Sequence, residues 1–195
     1  MDETLLSNEN DTNVTKEIMA CLDSDNDEAK EAYMKSQMIN AISQNLKDII
    51  KDNSCYESFI SKDKFYLSCL PDISLNDYIK RLVKYTNMNI STLINAIIYI
   101  DTFCEKNNYI LCMNNIYLIL LSACLISIKF NEDLIVNLKT YAQIAGVAPD
   151  ILTNLESCFY FNLHFSLFVK EDLYQSYYGY FSNFGFPTSK KGKEI

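Results

Sequence analysis

The side chains that usually carry catalysis or hold metal ions are sparse in this sequence. His164 is the only histidine, and no serine or cysteine nucleophile motif accompanies it to indicate a catalytic triad. The four glycines form neither a phosphate-binding loop nor a nucleophile elbow. The seven cysteines include no Cys-x-x-Cys pair, which argues against a zinc site. We therefore predict no catalytic residue, no metal site, no cofactor and no small-molecule substrate.

The acidic character of the chain is confined to its first part. The formal net charge is −8, and residues 1–31 contain ten acidic residues and two lysines, whereas residues 32–195 contain fifteen charges of each sign. The folded part therefore lacks the positive excess that binds nucleic acid. The odd number of cysteines, with Cys124 in an apolar run, indicates reduced side chains in the cytoplasm or the nucleus. The first residues, MDETLLSNEND, resemble neither a secretory signal nor a transit peptide.

Helical periodicity runs through most of the chain. Apolar residues recur at spacings of three and four over residues 28–53, which predicts an amphipathic helix after an acidic, Asn-rich tail of residues 1–28. A further short helix could cover Tyr56–Leu67. Capping residues, glycine and proline then predict six further helices. The first three run from Ser74 to about Met88, from Ser91 to Asn107 and from Asn114 to Phe130. The fourth is opened by Asn137 and closed by Gly146, the fifth begins at Pro149, and the last is a Tyr-rich helix from Glu171 to Phe184.

The stretch from Ile116 to Ile128 is the most apolar of the chain. It contains no charged residue, and apolar side chains cover every face at helical spacing, which predicts a helix buried on all sides. A membrane span is the alternative, but a span needs about 20 apolar residues. We therefore predict a core helix surrounded by the others, no membrane insertion and an all-α fold.

Four short motifs lie in a fixed order along these helices. They are Asp77-Tyr78-Ile79-Lys80-Arg81-Leu82 with Lys84-Tyr85, Ile97-Ile98-Tyr99-Ile100-Asp101, Ile128-Lys129-Phe130 with Glu132-Asp133, and Asn154-Leu155-Glu156. In this order the chain resembles a cyclin box, and the P/U-type cyclins of the phosphate-signalling branch in particular. The resemblance implies a single five-helix cyclin box over residues 71–169, with an N-terminal helical extension over 29–70, a C-terminal helix over 170–186 and a basic tail over 187–195.

The resemblance also assigns roles to individual residues. It implies an ion pair between Arg81 and Asp101 that joins the first two box helices, and a core position for Leu118. Asp101→Ala would then cost about 3–5 kcal/mol, because it would leave Arg81 buried and unpaired. Lys129 and Glu156 match the pair that binds main-chain groups around the regulatory helix of a cyclin-dependent protein kinase. The apolar surface for that helix is implied at Phe130, Tyr160, Phe165 and Leu167.

The function implied by the resemblance is that of a non-catalytic regulatory subunit that binds and activates a cyclin-dependent protein kinase. Taken alone, Lys129 is typical of a lysine that complements a helix dipole, and Glu156 of a solvent-facing carboxylate. A cyclin-fold scaffold or transcription-factor-like adaptor with no kinase partner is the alternative, and it would need a basic surface for DNA. The positions at which cell-cycle cyclins recruit substrates are too polar here for that use: Lys80, Val83, Lys84 and Asn87.

Overall fold

The computed structural model describes residues 27–134 and 136–184, and these residues are mostly helical. The described residues up to Met38 and those from Ile39 onward belong to separate compact units, and the contacts below lie within the second. No strand occurs in the described ranges, so the all-α prediction is confirmed. The predicted tails fall almost wholly outside these ranges. The helices are α1 (Asp27–Asp52), α2 (Leu75–Thr86), α3 (Ile90–Asn107), α4 (Met113–Asn131), α5 (Leu138–Ala145), α6 (Pro149–Asn162) and α7 (Glu171–Asn183), with a short 3-10 helix at Asn53–Phe59.

The segment between the 3-10 helix and α2 is not helical. The predicted short helix over Tyr56–Leu67 is therefore wrong beyond Phe59, where turns, bends and irregular backbone follow. Leu67 is instead fastened to the start of α4. Its N–H donates to the carbonyl of Asn114 at 2.7 Å, and its own carbonyl accepts from Nδ2 of Asn114 at 2.7 Å. These two hydrogen bonds pair the N–H and the carbonyl of Leu67, which lack helical hydrogen bonds in this segment.

Local capping signals determine where several helices begin and end. The hydroxyl of Ser74 accepts from the N–H of Asp77 at 3.1 Å and donates to its carboxylate at 2.6 Å, which starts α2. Asn137 starts α5 in the same way, since its side-chain oxygen accepts from the N–H of Thr140 at 2.9 Å. α5 ends at Gly146, whose φ of 75° lies in the left-handed region that glycine adopts without strain.

The start of α3 is joined to the end of α4 through Glu132. The predicted cap at Ser91 is wrong, because the cap position is Asn89, whose own side chain makes no capping bond. The carboxylate of Glu132 accepts from the N–H and Nδ2 of Asn89 at 2.9 and 2.7 Å, and from the hydroxyl of Thr92 at 2.5 Å. A carboxylate is favoured there because the helix dipole is positive at its N-terminus. Glu132 therefore holds the last turn of α4 in place.

α4 is the central helix of the fold. Residues 115–128 are all buried, and the helix packs against α3 and α6, as expected for a helix without a polar stripe. Among the described residues, α4 is the one helix long and apolar enough to span a membrane, but 78% of the span is buried inside the protein. Burial of that extent is typical of the core helix of a soluble protein. Leu118 lies in this buried run with 7% of its surface exposed.

Aromatic rings connect α3, α6 and the segment before α2. Phe103 and Phe159 stack with their ring centroids 4.7 Å apart, and Phe65 packs edge-on against them at 5.6 and 6.2 Å. All three side chains are almost completely buried. Aromatic pairs in such geometries add about 0.5–1.5 kcal/mol to the stabilisation from their buried area. This cluster therefore fixes α6 relative to α3.

The implied ion pair between Arg81 and Asp101 is not present, so that prediction was wrong. Arg81 is exposed and forms no salt bridge within the described residues. The carboxylate of Asp101 accepts a hydrogen bond from the hydroxyl of Tyr177 at 2.6 Å instead. The reason is the packing: α2 lies against α5, whereas α3 lies against α7. Asp101 therefore finds its donor on the C-terminal helix rather than on α2.

We expect Asp101→Asn to stabilise the protein increasingly as the pH rises. Burial raises the pKa of the Asp101 carboxyl above its ordinary 3.8, and the hydrogen bond from Tyr177 opposes this only in part. The folded state therefore holds this proton more tightly than the unfolded chain, so the free energy of unfolding of the wild type falls as the pH rises through the raised pKa. Asparagine keeps an acceptor for Tyr177 but carries no charge.

Melting temperatures of both proteins between about pH 3 and 7 measure this difference. The advantage of Asp101→Asn should be smallest at the acid end and grow toward neutrality. A difference that stays the same at every pH would contradict the assignment.

Candidate partner-docking groove

Lys129 and Glu156 form an ion pair on the protein surface. Lys129 lies in the last turn of α4, and Glu156 lies in the middle of α6. The Nζ of Lys129 donates to Oε1 of Glu156 at 2.5 Å. Their side chains are 39% and 21% exposed. The fold therefore brings together two residues that are 27 positions apart in the sequence.

The packing of α6 on α4 explains why these two side chains meet. Apolar residues of α6 recur every three or four positions, which places them on one face of the helix. Glu156 is at the margin of that face and is partly exposed. On α4 the buried run ends at Ile128, so Lys129 is the first residue to reach the surface. The buried residues of α6 are Leu152, Leu155 and Phe159.

A depression of about 270 Å³ lies beside the ion pair. It is termed the docking groove here. Most of its wall is apolar or aromatic, and the ring of Phe130 is 55% exposed. An exposed aromatic ring beside an apolar depression is typical of a surface that binds another molecule. The groove is lined by Ile126, Lys129, Phe130, Glu156, Tyr160 and Leu167.

Five of the six residues that the resemblance assigned to partner binding line this groove. The sixth, Phe165, does not line it, but its ring is 54% exposed and packs edge-on against Tyr160 at 4.7 Å. Phe165 therefore extends the apolar surface outward from the groove. The five lining residues are Lys129, Glu156, Phe130, Tyr160 and Leu167.

A left-handed turn after α6 orients Phe165. His164 and Phe165 have φ angles of 54° and 59°, which residues other than glycine and asparagine rarely adopt. The N–H of His164 donates to the carbonyl of Phe161 at 2.9 Å, and the N–H of Phe165 donates to that of Tyr160 at 3.3 Å. These bonds close the end of α6. The strained backbone therefore has local support, and Leu167 follows two residues later in the groove.

Sequence reasoning missed Tyr99, which positions one wall of the groove. Tyr99 lies on α3 with 2% of its surface exposed, and its hydroxyl donates to the carbonyl of Leu167 at 2.8 Å. Ile126 was also missed, because it lies inside a uniformly apolar run. Phe161 and Phe168 are 69% and 80% exposed. Their exposure depends on the path of the chain after α6, which no sequence pattern specifies.

Tyr99→Phe is expected to lower the free energy of unfolding by about 1–3 kcal/mol, because the carbonyl of Leu167 would lose its donor in a buried place. Urea unfolding of the variant and the wild type measures the difference. Tyr85→Phe is a matched control, since Tyr85 is 60% exposed and should show no change. Equal stability of Tyr99→Phe and the wild type would mean that this hydrogen bond contributes nothing.

The ion pair beside the groove is weakly held. Partly exposed pairs of this kind contribute about 0–1 kcal/mol to stability. Exchanging the Lys129–Glu156 contact for hydrogen bonds to another molecule would therefore cost the protein little. Lysine donates to carbonyl oxygens, and glutamate accepts from N–H groups. The groove thus combines apolar area with one donor and one acceptor that can change partners.

Comparison with known proteins identifies the kind of protein that carries this groove. The family model for Cyclin matches residues 12–167, which include the groove and the five helices from α2 to α6. The chain belongs to the cyclin family. It is 30% identical to Cyclin-U2-1 of Arabidopsis thaliana over 109 residues, which cover 55% of this cyclin and 49% of that protein. It is 25% identical to Cyclin-U4-1 of the same plant over 158 residues, or 78% of each chain.

The relatives also include a P-type protein from rice. Over 134 residues the chain is 25% identical to Cyclin-P3-1 of Oryza sativa subsp. japonica, covering 69% of this cyclin and 56% of that protein. The implied kinship with P/U-type cyclins is therefore confirmed. This cyclin spans about half the length of the U2-type relatives that it matches. Cyclins as a family are regulatory proteins.

Proposed function

We propose that this cyclin is a non-catalytic regulatory subunit that binds and activates a cyclin-dependent protein kinase. The observation that carries the proposal is the Lys129–Glu156 pair beside the apolar docking groove. The proposed occupant of the groove is the regulatory helix of the kinase. Family membership supports this type of partner.

The chemistry of the groove suits an amphipathic helix. Phe130, Tyr160 and Leu167 offer apolar area, and such anchors supply most of the binding free energy when a helix lies in a groove. Main-chain carbonyls are unpaired at the C-terminal end of a helix, and N–H groups at its N-terminal end. Because Lys129 and Glu156 contact each other, both would bind near one end of the docked helix. Glu156 can accept from an unpaired N–H of its first turn, and Lys129 can donate to a main-chain carbonyl of the segment that leads into it. The two charges would thereby set the register and direction of the docked helix.

Activation of the kinase would follow from a difference in affinity for its two arrangements. A subunit activates a kinase when it binds the active arrangement more tightly than the inactive one. In the active arrangement the kinase forms its own lysine–glutamate ion pair and opens its activation loop. Holding the regulatory helix in the docking groove would favour that arrangement. The cyclin itself would contribute no reacting group.

Substrate recruitment by the first box helix is not part of the proposal. Lys80, Lys84 and Asn87 of this region are exposed, whereas Val83 is buried. The surface at these positions is therefore polar. Substrate choice would then be a property of the kinase or of other surfaces.

The proposal can be tested with a panel of recombinant cyclin-dependent kinases. Each kinase is mixed with the purified chain, and binding and activity are measured. We expect at least one kinase to bind with a micromolar or tighter dissociation constant, as measured by isothermal titration calorimetry, and to phosphorylate a generic peptide substrate faster when bound. Each kinase without the cyclin is the control. Binding without activation would favour a scaffold role, and an absence of both across the panel would contradict the proposal.

We also propose the domain boundaries and the cellular location of this cyclin. The cyclin box is assigned to residues 71–169, with the extension before it and the C-terminal helix after it. The proposed location is the cytoplasm, the nucleus or both, where such kinases act. No binding to nucleic acid or to a membrane is proposed.

A further inference from the structure

A second depression, of about 350 Å³, adjoins the docking groove. It is termed the side depression. Phe130 and Leu167 line both depressions, so the two form one continuous surface. The side depression differs from the groove in being lined by amide groups and a carboxylate as well as by apolar side chains. The lining residues that distinguish it from the groove include Asn95, Asn131, Phe168 and Glu171.

We propose that the side depression binds an arginine side chain of the same partner kinase, next to its docked helix. This inference rests on the proposed function, because it takes the kinase as the occupant of the adjoining groove. It adds a determinant of partner choice that the groove alone does not provide: kinases with an arginine at the matching place would be preferred.

The charge of the side depression favours a cation. Glu171 carries the only charge among the described residues that line it. Its carboxylate accepts a hydrogen bond from Nε2 of Gln175 at 2.6 Å and forms no salt bridge within the described part of the chain. Lys170, its neighbour in sequence, does not neutralise it by such a contact. A carboxylate with no basic partner beside an apolar surface is a favourable site for an incoming positive group.

Two asparagines provide further acceptors. Nδ2 of Asn95 donates to Oδ1 of Asn131 at 3.3 Å, which is long for such a bond. Oδ1 of Asn95 is buried and accepts no hydrogen bond from the described residues. A buried acceptor without a donor is unfavourable. Asn131 is exposed, and its Oδ1 accepts only the long bond from Asn95 among the described residues, so it keeps a lone pair for a second donor in the side depression.

The geometry favours arginine over lysine. A guanidinium has five N–H donors in one plane, so it can serve a carboxylate and an amide oxygen together. The same plane stacks on aromatic rings, and the ring of Phe168 at the edge of the depression is 80% exposed. A lysine ammonium has no flat face for that contact. An arginine side chain thus has a partner for each of its properties: Glu171 for its charge, the asparagine amides for its N–H donors and Phe168 for its flat face.

The position of Glu171 at the start of a helix is a second possible reason for a carboxylate there. The neighbouring Asp172 provides the control for this explanation. Glu171 and Asp172 both lie in the first turn of α7, where any carboxylate is favoured by the dipole. Only Glu171 lines the side depression. Glu171→Gln and Asp172→Asn therefore remove the same helix-start charge, but only the first removes the proposed arginine partner.

Nuclear magnetic resonance of the full-length ¹⁵N-labelled chain tests the site without any kinase. The probe is N-acetyl-L-arginine methylamide, and the uncharged comparison is N-acetyl-L-citrulline methylamide. We expect the arginine compound to shift the side-chain amide signals of Asn95 and Asn131 with an affinity at least about fivefold above that of citrulline. Glu171→Gln should abolish this preference, and Asp172→Asn should retain it. Equal responses to both compounds, or an unchanged preference in Glu171→Gln, would overturn the proposal.

A second measurement uses the kinase that binds most tightly in the recombinant panel. Glu171→Gln should weaken its binding by about tenfold, and Asp172→Asn by less than about twofold. If Lys129→Ala with Glu156→Ala weakens binding and Glu171→Gln does not, the side depression has no part in docking and the proposed function stands. If the double variant binds as the wild type does, the assignment of the docking groove fails although a kinase is bound, and the arginine titration alone decides whether the cation site exists. The proposed function itself fails only if no kinase of the panel is bound or activated.

Discussion

Lys129→Ala combined with Glu156→Ala is expected to weaken binding of the partner kinase by about 2–4 kcal/mol, or about 30-fold to 1,000-fold in the dissociation constant. The reason is that both charges would contact main-chain groups of the docked helix in a place from which the partner excludes water. Hydrogen bonds to charged groups are worth more there than at an open surface. Loss of both would also leave the polar groups of the partner unpaired.

The same double substitution should leave the fold almost unchanged. The pair is partly exposed, and its contribution to the free energy of unfolding is at most about 1 kcal/mol. Calorimetric titration against the kinase, together with a thermal melt of each variant, separates the two effects. Lys84→Ala with Asp150→Ala is the matched control, since it removes one exposed residue of each sign, from a last helical turn and from α6. Wild-type affinity in the Lys129 and Glu156 double variant would refute the docking assignment.

Phe159→Ala is expected to lower the free energy of unfolding by about 3–5 kcal/mol. The ring of Phe159 is fully buried, stacks on Phe103 and contacts the edge of Phe65. Its removal would leave a cavity in the cluster that fixes α6, because the neighbouring rings are held in place by α3 and by the segment before α2. For a domain of this size the melting temperature should fall by about 6–20 °C.

Phe161→Ala is the matched control for this prediction. It removes the same side chain two residues later on α6, where the ring is 69% exposed, and it should change stability by less than about 0.5 kcal/mol. Differential scanning calorimetry of both variants measures the effect. Equal melting temperatures for Phe159→Ala and the wild type would contradict the central role of the aromatic cluster.

The parts of the fold that could be predicted from the sequence are those with a local signal. The burial of α4 follows from its uniform apolarity, and the starts of α2 and α5 follow from Ser74 and Asn137. The ends of most helices were placed to within a few residues for the same reason. The start of α3 could not be predicted, because its capping carboxylate, Glu132, is 40 residues away from Thr92.

The candidate site was predictable where a motif marked it. Lys129, Phe130 and Glu156 stand in short motifs whose order is informative, and the structure places them together. The Arg81–Asp101 pair failed because complementary charges on two helices do not establish that the helices face each other. Asp101 faces α7, and only the packed structure shows that Tyr177 is its donor. Tyr99 acts through Leu167, 68 residues later, so its role has no local signal.

The link from Glu132 to Asn89 and Thr92 limits how this groove could be transplanted. A protein engineer who copied only the groove-lining side chains onto another helical scaffold would omit these three residues, since none of them lines the depression. The lysine would then project from a frayed helix end, and its ammonium group would sample many positions instead of one. The smallest portable version of the groove therefore includes the beginning of α3.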